Sequence, residues 1–224
     1  ELSRFNWVVA FSTQIANGNK LSILKLNQWL ENWVQANPPY KGPNWKCAQE
    51  CSIRVINLVI ASWVLGQDYN PENGLREIIK SHLKRIEKTL SYGIAQENNH
   101  AISEAAALFI GGSFLTNFDK RAKYWTYKGR RLLEDRISKL IESDGTFSQY
   151  SLNYHRFMLD TCSLIVAWRS HRGLEPFSEK FIKKLKVATE WLWTFINDQN
   201  GKVPNIGAND GSQILQLLRT NYSD

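Results

Sequence analysis

Three short stretches concentrate side chains that could grip an anion and move a proton. In the first, Asn98, Asn99 and His100 are followed by Ala101-Ile102-Ser103-Glu104. One Asn serves as a helix cap. A second Asn and a His are more than a cap requires. Amide and imidazole groups are hydrogen-bond donors. His100 and Glu104 are four apart and share a helical face. In the second, Asp144-Gly145 leads through Gln149 to Tyr154-His155-Arg156. A phenol has an ordinary pKa of about 10. It can act as a base only where positive charge favours the phenolate, or else as an acid. Adjacent helical residues point about 100° apart, so at most one of His155 and Arg156 can face the same site as Tyr154. The third stretch runs from Pro204 and Asn205 through Gly207 to Asn209-Asp210-Gly211-Ser212. Each has a plain alternative: cap plus packed histidine, first core residue of a helix, and turn.

The elements that must position these groups are helical almost throughout. Leu75, Ile78, Ile79, Leu83, Ile86 and Leu90 form an apolar stripe opposite Arg76, Lys80, Lys84 and Lys88, an amphipathic helix with one wet side. Between Ile53 and Val64 apolar residues cover nearly every direction, so that helix is buried on most sides. Further helices are expected at about 20–36, 98–116, 119–142, 152–170, 178–197 and 210–220, separated by Gly, Pro and Asn breakers. Strands should be absent or very few. Buried helices alternating with amphipathic ones imply two concentric layers of hairpins. The expected fold class is all-α, an incomplete (α/α) toroid. No fixed-period repeat motif supports a solenoid.

Composition narrows the function classes. Residues 1–224 carry a net charge of +7, with pI ≈ 9.3, a balance that suits polyanionic partners. The basic residues are spread over Lys80–Lys88, Lys120–Arg136 and Lys180–Lys186 and read as solvated helix faces. Nucleic acid is not expected, since helix-turn-helix, zinc-spacing and aromatic-platform motifs are all missing. Nor is a membrane span, since no apolar run reaches about 18 residues. The four His residues have no ligand-pair spacing, so neither metal nor cofactor is expected. Cys47, Cys51 and Cys162 are too few for a disulfide framework and read as buried thiols. Most of the nine Trp should fill the core. The only Met is Met158, so the chain reads as a piece of a longer protein.

The words NNHAISEAAAL at 98–108, DGTFSQYSLNYHRFMLD at 144–160 and PNIGANDGS at 204–212, with Asn44-Trp45 through Glu50 and Ile53-Arg54 upstream, resemble the heparinase II/III superfamily and its alginate-lyase relatives. The resemblance runs from about 40 to 212, in order. Where many members carry Glu-Gln-Ser-Pro ahead of the tyrosine, this chain has Gln149-Tyr150-Ser151-Leu152. The resemblance implies a single catalytic toroid over 1–224, truncated at both ends, followed by a β-sandwich domain that shares the cleft. It implies β-elimination on an acidic, uronate-bearing polysaccharide, outside the inner membrane. Asn99 and His100 would grip the carboxylate, and Tyr154 would be the acid or base. Gln149, His155, Arg156, Glu104, Asn205 and Asn209 are candidate sugar contacts. A glycoside hydrolase and a non-catalytic module binding an acidic glycan are the competing readings. The hydrolase would draw on Glu104, Asp144, Asp160 and Asp210.

Overall fold

A computed structural model of the protein describes residues 2–215. Eight α-helices follow one another among them: α1 (Asn6–Ala16), α2 (Leu21–Ala36), α3 (Ala48–Val64), α4 (Asn73–Ala95), α5 (Asn99–Phe114), α6 (Ala122–Leu140), α7 (Leu152–His171) and α8 (Glu179–Trp193). Single 3₁₀ turns occupy Leu2–Arg4 and Pro43–Trp45. The described residues contain no strand, only an isolated antiparallel bridge between Ile141 and Phe147. The chain is all-α, as its periodicity indicates.

The layers follow from which helices have no wet side. Every residue of α3 from Ala48 to Ser62, Glu50 excepted, is buried, and α5 is buried along nearly its whole length. Their neighbours α4 and α6 each bury only one stripe. Accordingly α3 packs on α1, α4 and α5, while α5 packs on α3, α4, α6 and α7. Helices α1, α3, α5 and α7 thus form an inner row, and α4, α6 and α8 stand outside it. Helices α3, α5 and α7 point the same way. Near their starts, Ser103 of α5 bonds Gln49 of α3, and further along Gly111 lies against Val55. Likewise Gln149, just before α7, meets the start of α5, whereas Ser113 and Trp168 meet near the far ends of both.

Small residues permit this closeness. A Cβ on Gly129 of α6 would sit 2.4 Å from the Phe109 amide nitrogen of α5, and one on Gly112 of α5 would sit 2.6 Å from the Thr126 nitrogen of α6. The α5–α6 contact is backbone against backbone, and any side chain there would push the helices apart.

Buried polar residues fix the chain ahead of α3. Arg54 is fully buried, stacked between Trp33 and Trp45 with its guanidinium carbon 5.1 and 5.9 Å from the ring centres. It donates to His82 Nε2 (2.8 Å), to the Ser3 carbonyl (3.1 Å) and to the Asn44 carbonyl. Asn57 donates to the Arg4 carbonyl at 3.0 Å. These bonds nail the first 3₁₀ turn to α3 and so aim the Arg4 side chain. Burial, aided by the Arg54 charge, pushes the His82 imidazole down to about 3; it stays neutral and accepts from Arg54.

Two expectations are corrected. Helix α1 has no counterpart among the expected helices. Its sequence is rich in β-branched and aromatic residues, and Phe5 ahead of it is left-handed (φ 67°) with no side-chain cap. Burial of Val8, Val9 and Ser12, on the side packed against α3, overrides weak propensity. The helix expected at 210–220 is not present over 210–215, and 216–220 lie outside the described residues. There the chain stays irregular, and Ile214 and Leu215 are buried in the core. Cys51 and Cys162 are buried thiols as expected, whereas Cys47 is only half-buried.

Candidate functional site

The first turns of α3, α5 and α7 are cross-linked to one another, and most of the singled-out residues lie there. At the start of α5 the two asparagines divide the work. The side-chain oxygen of Asn98 accepts from the His100 amide at 2.9 Å, the N-cap bond. Asn99 is 4 % exposed. Its main chain is engaged, the N–H donating to Gln149 Oε1 at 3.1 Å and the carbonyl accepting from Ser103 Oγ at 2.8 Å. Its carboxamide makes no hydrogen bond among the described residues. His100 is half-buried. Burial pushes its imidazole down, and the negative charge of Glu50 opposes this.

At the start of α7, Ser151 caps the helix by accepting from the Tyr154 amide, and its hydroxyl donates to the Ala208 carbonyl at 2.5 Å. The Leu152 N–H donates to the Ile206 carbonyl at 3.0 Å. Gly207 is left-handed (φ +81°), and a Cβ there would fall 2.2 Å from the Tyr150 carbonyl oxygen. Only glycine fits this approach. The 204–212 segment is therefore strapped across the beginning of α7.

That strap delivers Asp210 to Tyr154. The half-buried phenol donates to Asp210 Oδ2 at 2.9 Å, and Asp210 Oδ1 accepts from the Ser212 amide at 2.9 Å. Burial, then the hydrogen bond to Asp210 and its charge, push the Tyr154 phenol above its ordinary value, against weaker pulls from Ser212 and Arg4. Burial would raise the Asp210 carboxyl, but donors from Ser212 and Tyr154 outweigh it and hold the group below the usual range. Arg4 in turn grips Glu50 of α3, with Nη2 to Oε1 at 2.8 Å. The two charges of one ion pair thus act on different groups, Arg4 on Tyr154 and Glu50 on His100.

The other candidates separate. Gln149 is half-buried and bonded to Asn99. Arg156 donates to Asn153 Oδ1 at 2.7 Å, and Asn153 reaches Asp210 Oδ1 at 3.5 Å. Asn205 and Asn209 are exposed and bond each other at 2.9 Å. Two expectations fail on burial. His155 is 1 % exposed, stacks on Trp191 (4.7 Å) and places Nε2 2.9 Å from the Ala188 carbonyl. It is a packed neutral imidazole, out of a sugar's reach. Glu104 is 2 % exposed and wedged against Gly93, where a Cβ would meet its carboxylate at 2.5 Å. Burial raises its carboxyl to about 8, with the Arg85 charge opposing.

Sequence reasoning leaves Arg4 unmarked, notes Glu50 only within the upstream segment of the resemblance, and treats Asp210 only as one of several acids. An acidic residue four places past Ile206 in a turn reads as ordinary turn chemistry; its tyrosine partner is 56 residues away. Among the described residues, no three His, Cys, Asp or Glu side chains gather to hold a metal ion.

Comparison with known proteins agrees with this architecture. Residues 2–223 match the family model described as heparinase II/III N-terminus. A heparin-sulfate lyase of Bacteroides thetaiotaomicron is 26% identical over 165 residues, covering 69% of this chain and 23% of the relative. The chain therefore spans about a quarter of that protein's length. A crystal structure of heparinase III superposes with TM-score 0.71 at 23% identity, over 88% of this chain and 30% of that one. A heparan sulfate lyase from Pedobacter heparinus gives TM-score 0.64 at 20% identity, over 91% of this chain and 32% of that one. At these identities the likeness to the solved structures is one of fold.

Proposed function

This chain belongs to the heparinase II/III N-terminus family, and from that premise we propose that it is the helical part of a polysaccharide lyase. Its substrate would be an acidic, uronate-bearing polysaccharide, cleaved by β-elimination. Residues 1–224 would act as one toroidal unit, with a β-sandwich domain of the longer protein closing the cleft. The enzyme would meet its polymer outside the inner membrane. No described helix is long and apolar enough to span a membrane.

The observation that carries the reading is the linkage of two helix starts. Asn99 donates its N–H to Gln149 at 3.1 Å, which ties the Asn99–His100 pair to the loop leading into Tyr154. β-Elimination removes the proton α to a carboxylate, and that step needs the carboxylate's charge neutralised as more charge develops. The uncommitted carboxamide of Asn99 and a neutral His100 imidazole supply donors for it. Tyr154, held in its protonated form, suits delivery of a proton to the leaving oxygen. Gln149 and Arg156 would contact neighbouring sugars, and Asn205 and Asn209 would border the cleft.

The test is the longer protein on a panel of acidic polysaccharides, followed by the ultraviolet absorbance of the unsaturated uronate product. Tyr154→Phe should abolish that signal, and Asn99→Ala should slow its appearance by roughly 100-fold or more, while the protein stays folded. New reducing ends without absorbance would make it a hydrolase. Binding without cleavage, unchanged in Tyr154→Phe, would make it a glycan-binding module.

A further inference from the structure

The phenolic proton of Tyr154 is directed at a carboxylate. Its acceptor, Asp210 Oδ2, lies 2.9 Å away. The other carboxylate oxygen is steadied by the Ser212 amide at 2.9 Å and approached by Asn153 Nδ2 at 3.5 Å. The strap carrying Asp210 is itself fixed to α7 through Ile206, Gly207 and Ala208. A phenol whose proton points at Asp210 keeps, beside Ser212, an oxygen lone pair for another partner. Its nearest charged neighbour is negative, so it does not rest as a phenolate. A neutral phenol is a poor base unless its own proton can leave as another arrives.

We propose that Asp210 is the positioning residue that lets Tyr154 act first as base and then as acid, by holding the phenolic proton during elimination. The inference rests on the lyase reading above. As the uronate α-proton moves to Tyr154 Oη, the phenolic proton moves to Asp210 Oδ2. The electron pair of the broken C–H bond forms the ring double bond, and the bond to the glycosidic oxygen breaks. Asp210 then returns its proton to Oη, and Oη gives one to the leaving oxygen. The proton lost from carbon is matched by the one gained by the leaving group, and both side chains end as they began. The charge of Arg4 is felt weakly at the same phenol and favours its negative form.

The experiment uses the longer protein with Asp210→Asn, Asp210→Glu, Tyr154→Phe and the Asp210→Asn/Tyr154→Phe double variant. Turnover on the best acidic polysaccharide is measured beside the titration of ring-labelled tyrosine by NMR, with Tyr154 assigned by its loss in Tyr154→Phe. Asp210→Asn should lower kcat by about 100-fold or more with little change in KM. It should also move the Tyr154 titration to lower pH. Asp210→Glu should recover part of kcat, and the double variant should be no worse than Tyr154→Phe alone. An active wild type whose Asp210→Asn variant keeps kcat within about threefold, with an unmoved titration, overturns the relay and leaves the lyase reading intact. A wild type inactive on every acidic polysaccharide overturns the lyase reading, and the relay with it, whatever the titration shows.

Discussion

Arg4 and Glu50 clasp each other across 46 positions of sequence, with Nη2 2.8 Å from Oε1 and Nε 3.1 Å from each carboxylate oxygen. The pair joins the chain ahead of α1 to the first turn of α3, and its charges reach both His100 and Tyr154. Replacing Glu50 by Gln removes the charge that opposes burial at His100. The imidazole should then titrate at still lower pH, read from its ring proton shifts. Loss of this partly exposed pair should cost about 1 kcal/mol in urea unfolding. An unmoved His100 titration would show the two groups to be uncoupled.

The adjacent asparagines should behave as opposites. Asn98→Ala deletes a cap and should cost about 1 kcal/mol of stability. Asn99→Ala removes a carboxamide with no hydrogen bond among the described residues, so its stability cost should be the smaller. If Asn99 grips the developing negative charge, its loss should lower kcat by roughly 100-fold or more. Thermal melts and rates on the same two variants separate the roles.

Glu104 sets a pH dependence of stability. Its folded carboxyl keeps a proton up to about pH 8, whereas the unfolded chain releases it near 4.5. Between those values the folded state binds more protons, so stability falls as pH rises, by at most about 1.4 kcal/mol per unit. Below the window both states are protonated and the effect vanishes. Glu104→Gln should flatten this slope, and it should exceed the wild type at pH 8 by on the order of 3 kcal/mol. The same change in unfolding free energy between pH 5 and pH 8 for wild type and Glu104→Gln, from denaturant titrations, would exclude the effect.

Arg54→Ala would strand His82 Nε2 and the Ser3 and Asn44 carbonyls, all served by one guanidinium. A cost of about 3–5 kcal/mol follows from breaking such a buried polar cluster. Release of the Ser3 carbonyl removes one of the main-chain ties on the turn that carries Arg4, and a loosened Arg4 should let the Tyr154 titration shift upward. Urea unfolding and the tyrosine titration together check both halves.

How much of this is legible in the sequence depends on what each helix has to bury. Helices α2 to α8 show in the 3.6-residue period because each carries a stripe or a fully apolar surface. Helix α1 has neither a clear cap nor strong propensity, and it exists because α3 offers it a partner. The 210–215 stretch reads as helical because Asn209, Asp210 and Gly211 imitate a helix start. The side-chain oxygens of Asn209 and Asp210 accept the Gly211 and Ser212 amides at 2.9 Å instead, and the chain turns away. The His100–Glu104 spacing identifies a shared face, yet spacing cannot tell whether that face is wet. On α5 hardly any face is, and Glu104 is sealed. His155 is ambiguous for the same reason, since spacing does not reveal its stacking on Trp191.

The common direction of α3, α5 and α7 has an electrical consequence. Each helix ends at its start in amide hydrogens that carry a partial positive charge of roughly half a unit. Three such ends lie side by side at one rim, joined through Gln49–Ser103 and Asn99–Gln149. The positive ends of three helices therefore add at one rim, and because they belong to the main chain no single side-chain replacement can erase that sum.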